Sequence, residues 1–215
     1  MQKLLRMTFL VSTLFLSISS LAKADTVALT SVTGGLLATS GTDQLYGWIF
    51  TANSPITVTS LGVFDNGSDG LSVSHDVGIF DDTTRALLGS TTVPAGTGGT
   101  LIDGFRYESV SSFSLTQGDS YVIVMTMPEQ NVDYQTIQAV SETTASQITY
   151  VNSAFGDGST LAFPPTSGAF APGMFGPNFT FASAAATTPE PSSIVLLGTG
   201  VLSIAGFARR RILRG

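Results

Sequence analysis

The residues best suited to chemistry sit together in one short stretch. Asp65-Asn66-Gly67-Ser68-Asp69-Gly70 places oxygen donors around a glycine-rich turn, and Asp76 follows at the twelfth position. Hard oxygen ligands at such spacing suit Ca²⁺, which makes Asp65, Asp69 and Asp76 candidate metal ligands. The stretch departs from an EF-hand loop at Gly67, which has no side-chain oxygen at position three, and at Asp76, which is shorter than the usual bidentate Glu. The same residues also suit a plain turn in which Asp and Asn satisfy backbone N–H groups. His75 is the single histidine of the chain, fit either for a hydrogen-bonded strand position or for a ligand or base. Asp81 and Asp82 form a carboxylate pair of the kind that cleaves glycosides, but adjacent strand residues point to opposite faces, and a turn between strands is the simpler reading.

Other catalytic chemistries are missing from the sequence. The chain has no Cys, so it has no disulfide, thiolate zinc site or cysteine nucleophile. It has no second His, no G-x-S-x-G elbow, no P-loop and no dinucleotide fingerprint, and the expectation is a protein that is not an enzyme. Between Asp25 and Thr188 the only cations are Arg85 and Arg106, against fourteen acids, and an ion pair with a nearby acid is expected for each arginine. Such an acidic surface repels phosphate backbones, which excludes nucleic acid as a partner. Aromatic residues offer a binding alternative. Tyr46 and Trp48, with Phe80, Tyr107 and Phe170, would make a sugar-stacking platform if they faced solvent, or core if they did not.

These residues must be positioned by strands. Charged residues are only 11% of the chain and Gly numbers 23, a composition that fits neither a helix-rich nor a charge-driven disordered protein. Apolar and polar residues alternate in short runs bounded by turn residues. The pattern predicts strands over Tyr46 to Thr51, Ile56 to Phe64, Val73 to Phe80, Leu87 to Val93, Phe105 to Leu115 and Tyr121 to Met127. Gln147 to Val151 and Asn178 to Phe181 are expected closing strands, with Phe155 to Gly176 a long Gly/Pro/Phe-rich loop. The predicted fold class is all-β, an antiparallel β-sandwich of jelly-roll type, flanked by an N-terminal signal peptide and a C-terminal transmembrane helix.

The two ends carry targeting chemistry. Lys3 and Arg6, the apolar run Met7 to Ile18, and Ala22-Lys23-Ala24 have the order of a secretory signal, with cleavage expected after Ala24 by signal peptidase following Sec export. At the other end Pro189-Glu190-Pro191 holds an extended, exposed segment. Behind it come the apolar stretch Ile194 to Ala208 and Arg209-Arg210-Arg211, whose charge would remain cytoplasmic. A stretch of fifteen residues spans the inner membrane only marginally.

Pro-Glu-Pro, a short glycine-containing hydrophobic segment and a terminal arginine cluster together resemble the tripartite PEP-CTERM sorting signal. That resemblance implies recognition by an exosortase, a membrane transpeptidase-like enzyme of Gram-negative bacteria that make exopolysaccharide. Leu61-Gly-Val-Phe-Asp65-Asn-Gly-Ser-Asp69-Gly70-Leu71, His75-Asp76-Val-Gly-Ile-Phe-Asp81, Leu87 to Pro94, Asp103-Gly-Phe-Arg-Tyr107 and Leu115 to Tyr121 resemble a domain of unknown function common in such proteins. This second resemblance covers roughly Leu45 to Met127 and implies a β-sandwich without an established activity.

The expected organisation is therefore a signal peptide at 1–24, a β domain at 25–181, a small-residue linker at 182–188 and the sorting signal at 189–215. The functional expectation is an exported, non-catalytic protein, held at the inner membrane and then left on the cell surface or in the extracellular matrix. The alternative is a carbohydrate-binding module recognising exopolysaccharide.

Overall fold

The computed structural model describes residues 25–39, 41–129, 133, 135–137, 141–168 and 173–183. The signal peptide, most of the expected linker and the sorting tail lie outside the described residues, as do Ala22, Ala24, Pro189, Glu190, Pro191, Arg209, Arg210, Arg211 and Phe170. No helix among the described residues is long and apolar enough to cross a membrane.

The chain runs β1 (Thr26–Val27), β2 (Leu29–Thr33), β3 (Leu36–Ala38), β4 (Gln44–Ala52), β5 (Ile56–Phe64), β6 (His75–Asp81), β7 (Leu87–Val93) and β8 (Thr100–Ile102). It continues through β9 (Phe105–Leu115), β10 (Ser120–Met127), β11 (Gln135–Ile137), β12 (Ser141–Thr144), β13 (Ile148–Asp157), β14 (Thr166–Ser167), β15 (Met174–Phe175) and β16 (Pro177–Ser183). Two sheets carry the architecture, a five-stranded one in the order β1-β16-β5-β9-β8 and a six-stranded one in the order β14-β13-β4-β10-β6-β7. Small sheets β15-β11-β3 and β12-β2 complete the fold. Every recorded pairing is antiparallel, as predicted.

Period-two alternation builds the core. Trp48, Phe50 and Ala52 of β4, Ile123 and Met125 of β10, and Val77 and Ile79 of β6 meet Val58, Leu61 and Val63 of β5 and Phe179 and Phe181 of β16. Each strand thus lends one face to the space between the sheets, the arrangement of a sandwich. A β-bulge between Val58 and Ser60 keeps β5 apolar inward: without it, Val58 and Leu61, three residues apart, would face opposite ways.

The central strands β4 and β10 of the six-stranded sheet are buried on both faces. Leu45, Ile49, Phe80, Val122, Val124 and Ala154 form a second apolar cluster, covered by Leu161 and Phe163. This corrects the expected loop from Phe155 to Gly176. Phe155 to Asp157 continue β13, and the proline-containing segment beyond Gly158 lies across the sheet as its cover. At the far end β16 runs through Ser183, two residues past the expected boundary at 181.

Candidate functional site

The calcium expectation depends on three free carboxylates, and the fold does not bring them together. β5 ends at Phe64, and the next residue, Asp65, turns its carboxylate inward. There it accepts from the Gly70 backbone N–H at 3.1 and 3.2 Å and from Arg106 Nε at 2.6 Å. Arg106, arriving from β9, also donates to the carbonyls of Gly99 and Ser68 at 3.3 and 3.2 Å. Both members of the pair are buried, so a guanidinium already provides the positive charge that a cation would bring. Asp69 is exposed in the turn, and Asp76 lies on β6, where it accepts from the Thr92 hydroxyl at 2.6 Å. Among the described residues no three His, Cys, Asp or Glu side chains are grouped as a metal ion requires. The stretch is a turn stapled by an arginine.

His75 is fully buried at the start of β6. Its Nδ1 lies 2.7 Å from the carbonyl oxygen of Thr126 and its Nε2 lies 3.1 Å from Oδ2 of Asp133. Both ring nitrogens thus face oxygen atoms. Asp133 also accepts from the backbone N–H and the hydroxyl of Ser72. Burial pushes the Asp133 carboxyl up, but the hydrogen bonds from His75 and Ser72 outweigh it and hold the group below the ordinary carboxylate value. The order of contacts is Ser72 to Asp133 to His75, with the serine hydroxyl on the carboxylate rather than on the imidazole. That order does not activate a nucleophile, because the base that would take the serine proton is not its neighbour. The sequence reading missed Asp133 and Ser72, which no local pattern marks: Asp133 is 58 residues from His75 along the chain.

The Asp81-Asp82 pair is a turn, as read from the sequence. Asp81 Oδ1 accepts from the backbone N–H groups of Thr83 and Thr84 and from the Thr84 hydroxyl, and the Thr84 backbone contact leads in holding the carboxyl below the ordinary carboxylate value. The turn ends at Arg85, which has a left-handed backbone at φ 61°. Its guanidinium carbon lies 5.3 Å from the Phe163 ring centroid over a cleft of about 190 Å³. Among the described residues Arg106 makes the expected ion pair, whereas Arg85 makes a cation–π contact instead.

The aromatic platform is also redistributed. Trp48 is 0% exposed, donates its indole N–H to the carbonyl of Pro177 at 2.8 Å and packs against Phe50, Phe175 and Phe179. Tyr46 is half-buried, with its hydroxyl donating to Gln44, and Phe80 lies beneath Phe163. Trp48 and Phe80 are therefore core or covered, and Tyr46 is partly so. Tyr107 is a separate case: it is buried, and its phenol is the one buried side-chain polar atom among the described residues without a hydrogen-bond partner.

A family model described as the PEP-CTERM protein-sorting motif matches residues 187–211. No curated protein matches the chain. Two solved structures share a distant likeness, each 15% identical in sequence. One is described as Xyl-CBM35 in complex with a glucuronic acid containing disaccharide, covering 65% of this chain and 96% of its own, with a TM-score of 0.29. The other is CBM35 from Cellvibrio japonicus Abf62, covering 62% of this chain and 93% of its own, with a TM-score of 0.26. Likeness at that level carries no ligand over to this chain.

Proposed function

We propose that this chain, which carries the PEP-CTERM protein-sorting motif, is an exported, non-catalytic component of the cell surface or extracellular matrix of a Gram-negative bacterium. Its C-terminal segment holds it at the inner membrane until an exosortase processes it. The observation that carries this reading is the motif match at residues 187–211. The acidic β domain fits an exported cargo: it stands on a continuous core without cysteine, and so folds without regard to redox compartment. The site geometry supports a structural rather than catalytic use of its polar residues, since Asp65, Arg106, His75 and Asp133 satisfy one another.

Fractionation of tagged protein in a host with and without its exosortase tests the proposal. Processed protein should leave the inner-membrane fraction only when the exosortase is present. Identical fractionation in both hosts would refute the reading.

The second reading, a carbohydrate-binding module for exopolysaccharide, needs a surface other than Tyr46 and Trp48.

A further inference from the structure

Asn66 and Gly67 form the tip of the turn that follows β5, and both are exposed. A hydrogen bond from the Ser68 backbone N–H to the Asp65 carbonyl, at 3.0 Å, closes the turn around them. Gly67 supplies the left-handed residue that the turn needs, at φ 93°. Its missing side chain also leaves the backbone nitrogen open to approach. That matters because an asparagine amide is among the labile groups of a protein chain.

Hydrogen bonding separates Asn66 from the other described asparagines. Asn53 donates to the Ser146 carbonyl and the Thr149 hydroxyl at 3.1 and 2.9 Å. Asn178 is buried and exchanges two hydrogen bonds with the backbone of Leu29. In Asn152 and Asn178 the side-chain oxygen accepts from the backbone N–H of the next residue, Ser153 or Phe179, at 2.9 and 2.8 Å. Among the described asparagines only Asn66 makes no side-chain hydrogen bond, and the Gly67 N–H beside it meets no acceptor.

We infer that Asn66 is a site of spontaneous modification in the folded protein. The Gly67 nitrogen, giving up its proton, attacks Cγ of Asn66. The new N–Cγ bond closes a succinimide ring, and the Cγ–Nδ2 bond breaks to release ammonia. Water then adds to either ring carbonyl and reopens the ring, leaving aspartate at 66 or its isomer linked through the side-chain carboxyl. Nothing is oxidised or reduced, and water is the only co-reactant. Closure requires the Asn66–Gly67 peptide to turn, against the Ser68–Asp65 hydrogen bond that spans it at an exposed tip. Either product adds a carboxylate between Asp65 and Asp69. The isomer also lengthens the backbone inside the loop that Asp65 closes through the Gly70 N–H. Arg106 donates to the Ser68 carbonyl of that loop, so the modification loosens the tie between the turn and β9.

The test is peptide mapping by mass spectrometry of the full chain, purified in mild detergent and held in mildly alkaline buffer, either folded or unfolded in urea. Melting curves of the folded samples are taken in parallel. The folded parent should convert at Asn66 while Asn53, Asn152 and Asn178 stay intact, and its Tm should fall as product accumulates. Asn66→Gln should lose both changes, because its longer side chain closes the ring poorly. An Asn66 that stays intact in the folded protein, over the time that converts it fully in urea, overturns the site. Conversion of any of the other three in folded protein as fast as Asn66 overturns the selection by unbonded groups. Full conversion at Asn66 with no fall in Tm overturns the coupling to Arg106.

Discussion

Nε of Arg106 lies 2.6 Å from Oδ2 of Asp65, and the two residues are 4% and 3% exposed. Two of the chain's few interior charges thus neutralise each other at the end of the sandwich, tying the turn after β5 to β9. Removing one partner strands the other charge in a site that water does not reach. Arg106→Ala should therefore cost about 3–5 kcal/mol, read from urea unfolding followed by circular dichroism. A loss below about 1 kcal/mol would mean the pair behaves as a surface ion pair.

The same contact argues against a metal at this turn. With Asp65 engaged by a guanidinium, the turn has no carboxylate set to offer, and Tm should be equal in millimolar calcium and in excess chelator. A ligand that bound the native state alone at about 100 times its Kd would add about 2.7 kcal/mol, enough to see as a clear rise in Tm. Such a rise would restore Asp65, Asp69 and Asp76 as a site.

Trp48 should report on stability rather than on sugar recognition. Trp48→Ala empties the centre of an aromatic cluster that includes Phe50 and Phe179, and should cost about 3–5 kcal/mol in chemical unfolding. Unchanged stability with lost glycan binding would place the indole at a surface and contradict the packing.

The His75 and Asp133 contact predicts an acid limb in the stability profile. A carboxyl held below its ordinary value of 3.8 stabilises the fold fully above that value, and the contribution disappears as pH falls through the lower folded-state value. Unfolding midpoints measured from about pH 6 down to about pH 2 should fall for the parent protein. Asp133→Asn should be less stable at the upper end and should lose less on acidification. Parallel profiles for the two proteins would show that the pair contributes nothing in this window.

The sorting tail should break in separable parts. Replacing Arg209, Arg210 and Arg211 together by Glu removes the charge that fixes orientation, so membrane retention should weaken with Pro189-Glu190-Pro191 intact. Glu190→Ala should leave the protein inserted but unprocessed. Fractionation of tagged variants, with and without the exosortase, reads both effects, and processing of both variants like the parent would reduce the tail to a plain anchor.

Much of the fold was legible because strand information is local. Ile56 to Phe64, Leu87 to Val93 and Phe105 to Leu115 run with the bounds that alternation and turn residues predicted. The sorting motif was legible for the same reason, since Pro189 to Arg211 is read as a contiguous segment and needs no folded partner. The very short strands β1, β3, β8, β14 and β15 escaped, because two or three residues carry no period and pair only where a longer neighbour offers an edge.

By itself, then, the sequence determined an antiparallel all-β domain, the turns that divide it and the tail that matches the sorting motif. The tertiary structure alone decided what each face and each charge would meet. Alternation shows that a strand has two faces without saying which of them is covered. Trp48 became core because β16 packs Phe179 onto its ring, and β4 and β10 are buried on both sides because Leu161 and Phe163 cover the outer one. Arg106 found Asp65 across 41 residues and His75 found Asp133 across 58, distances at which chain connectivity imposes no preference among fourteen acids. Tyr107 kept its hydroxyl unpaired for a related reason. Cross-strand register set its ring on Gly62, where its hydroxyl meets no partner.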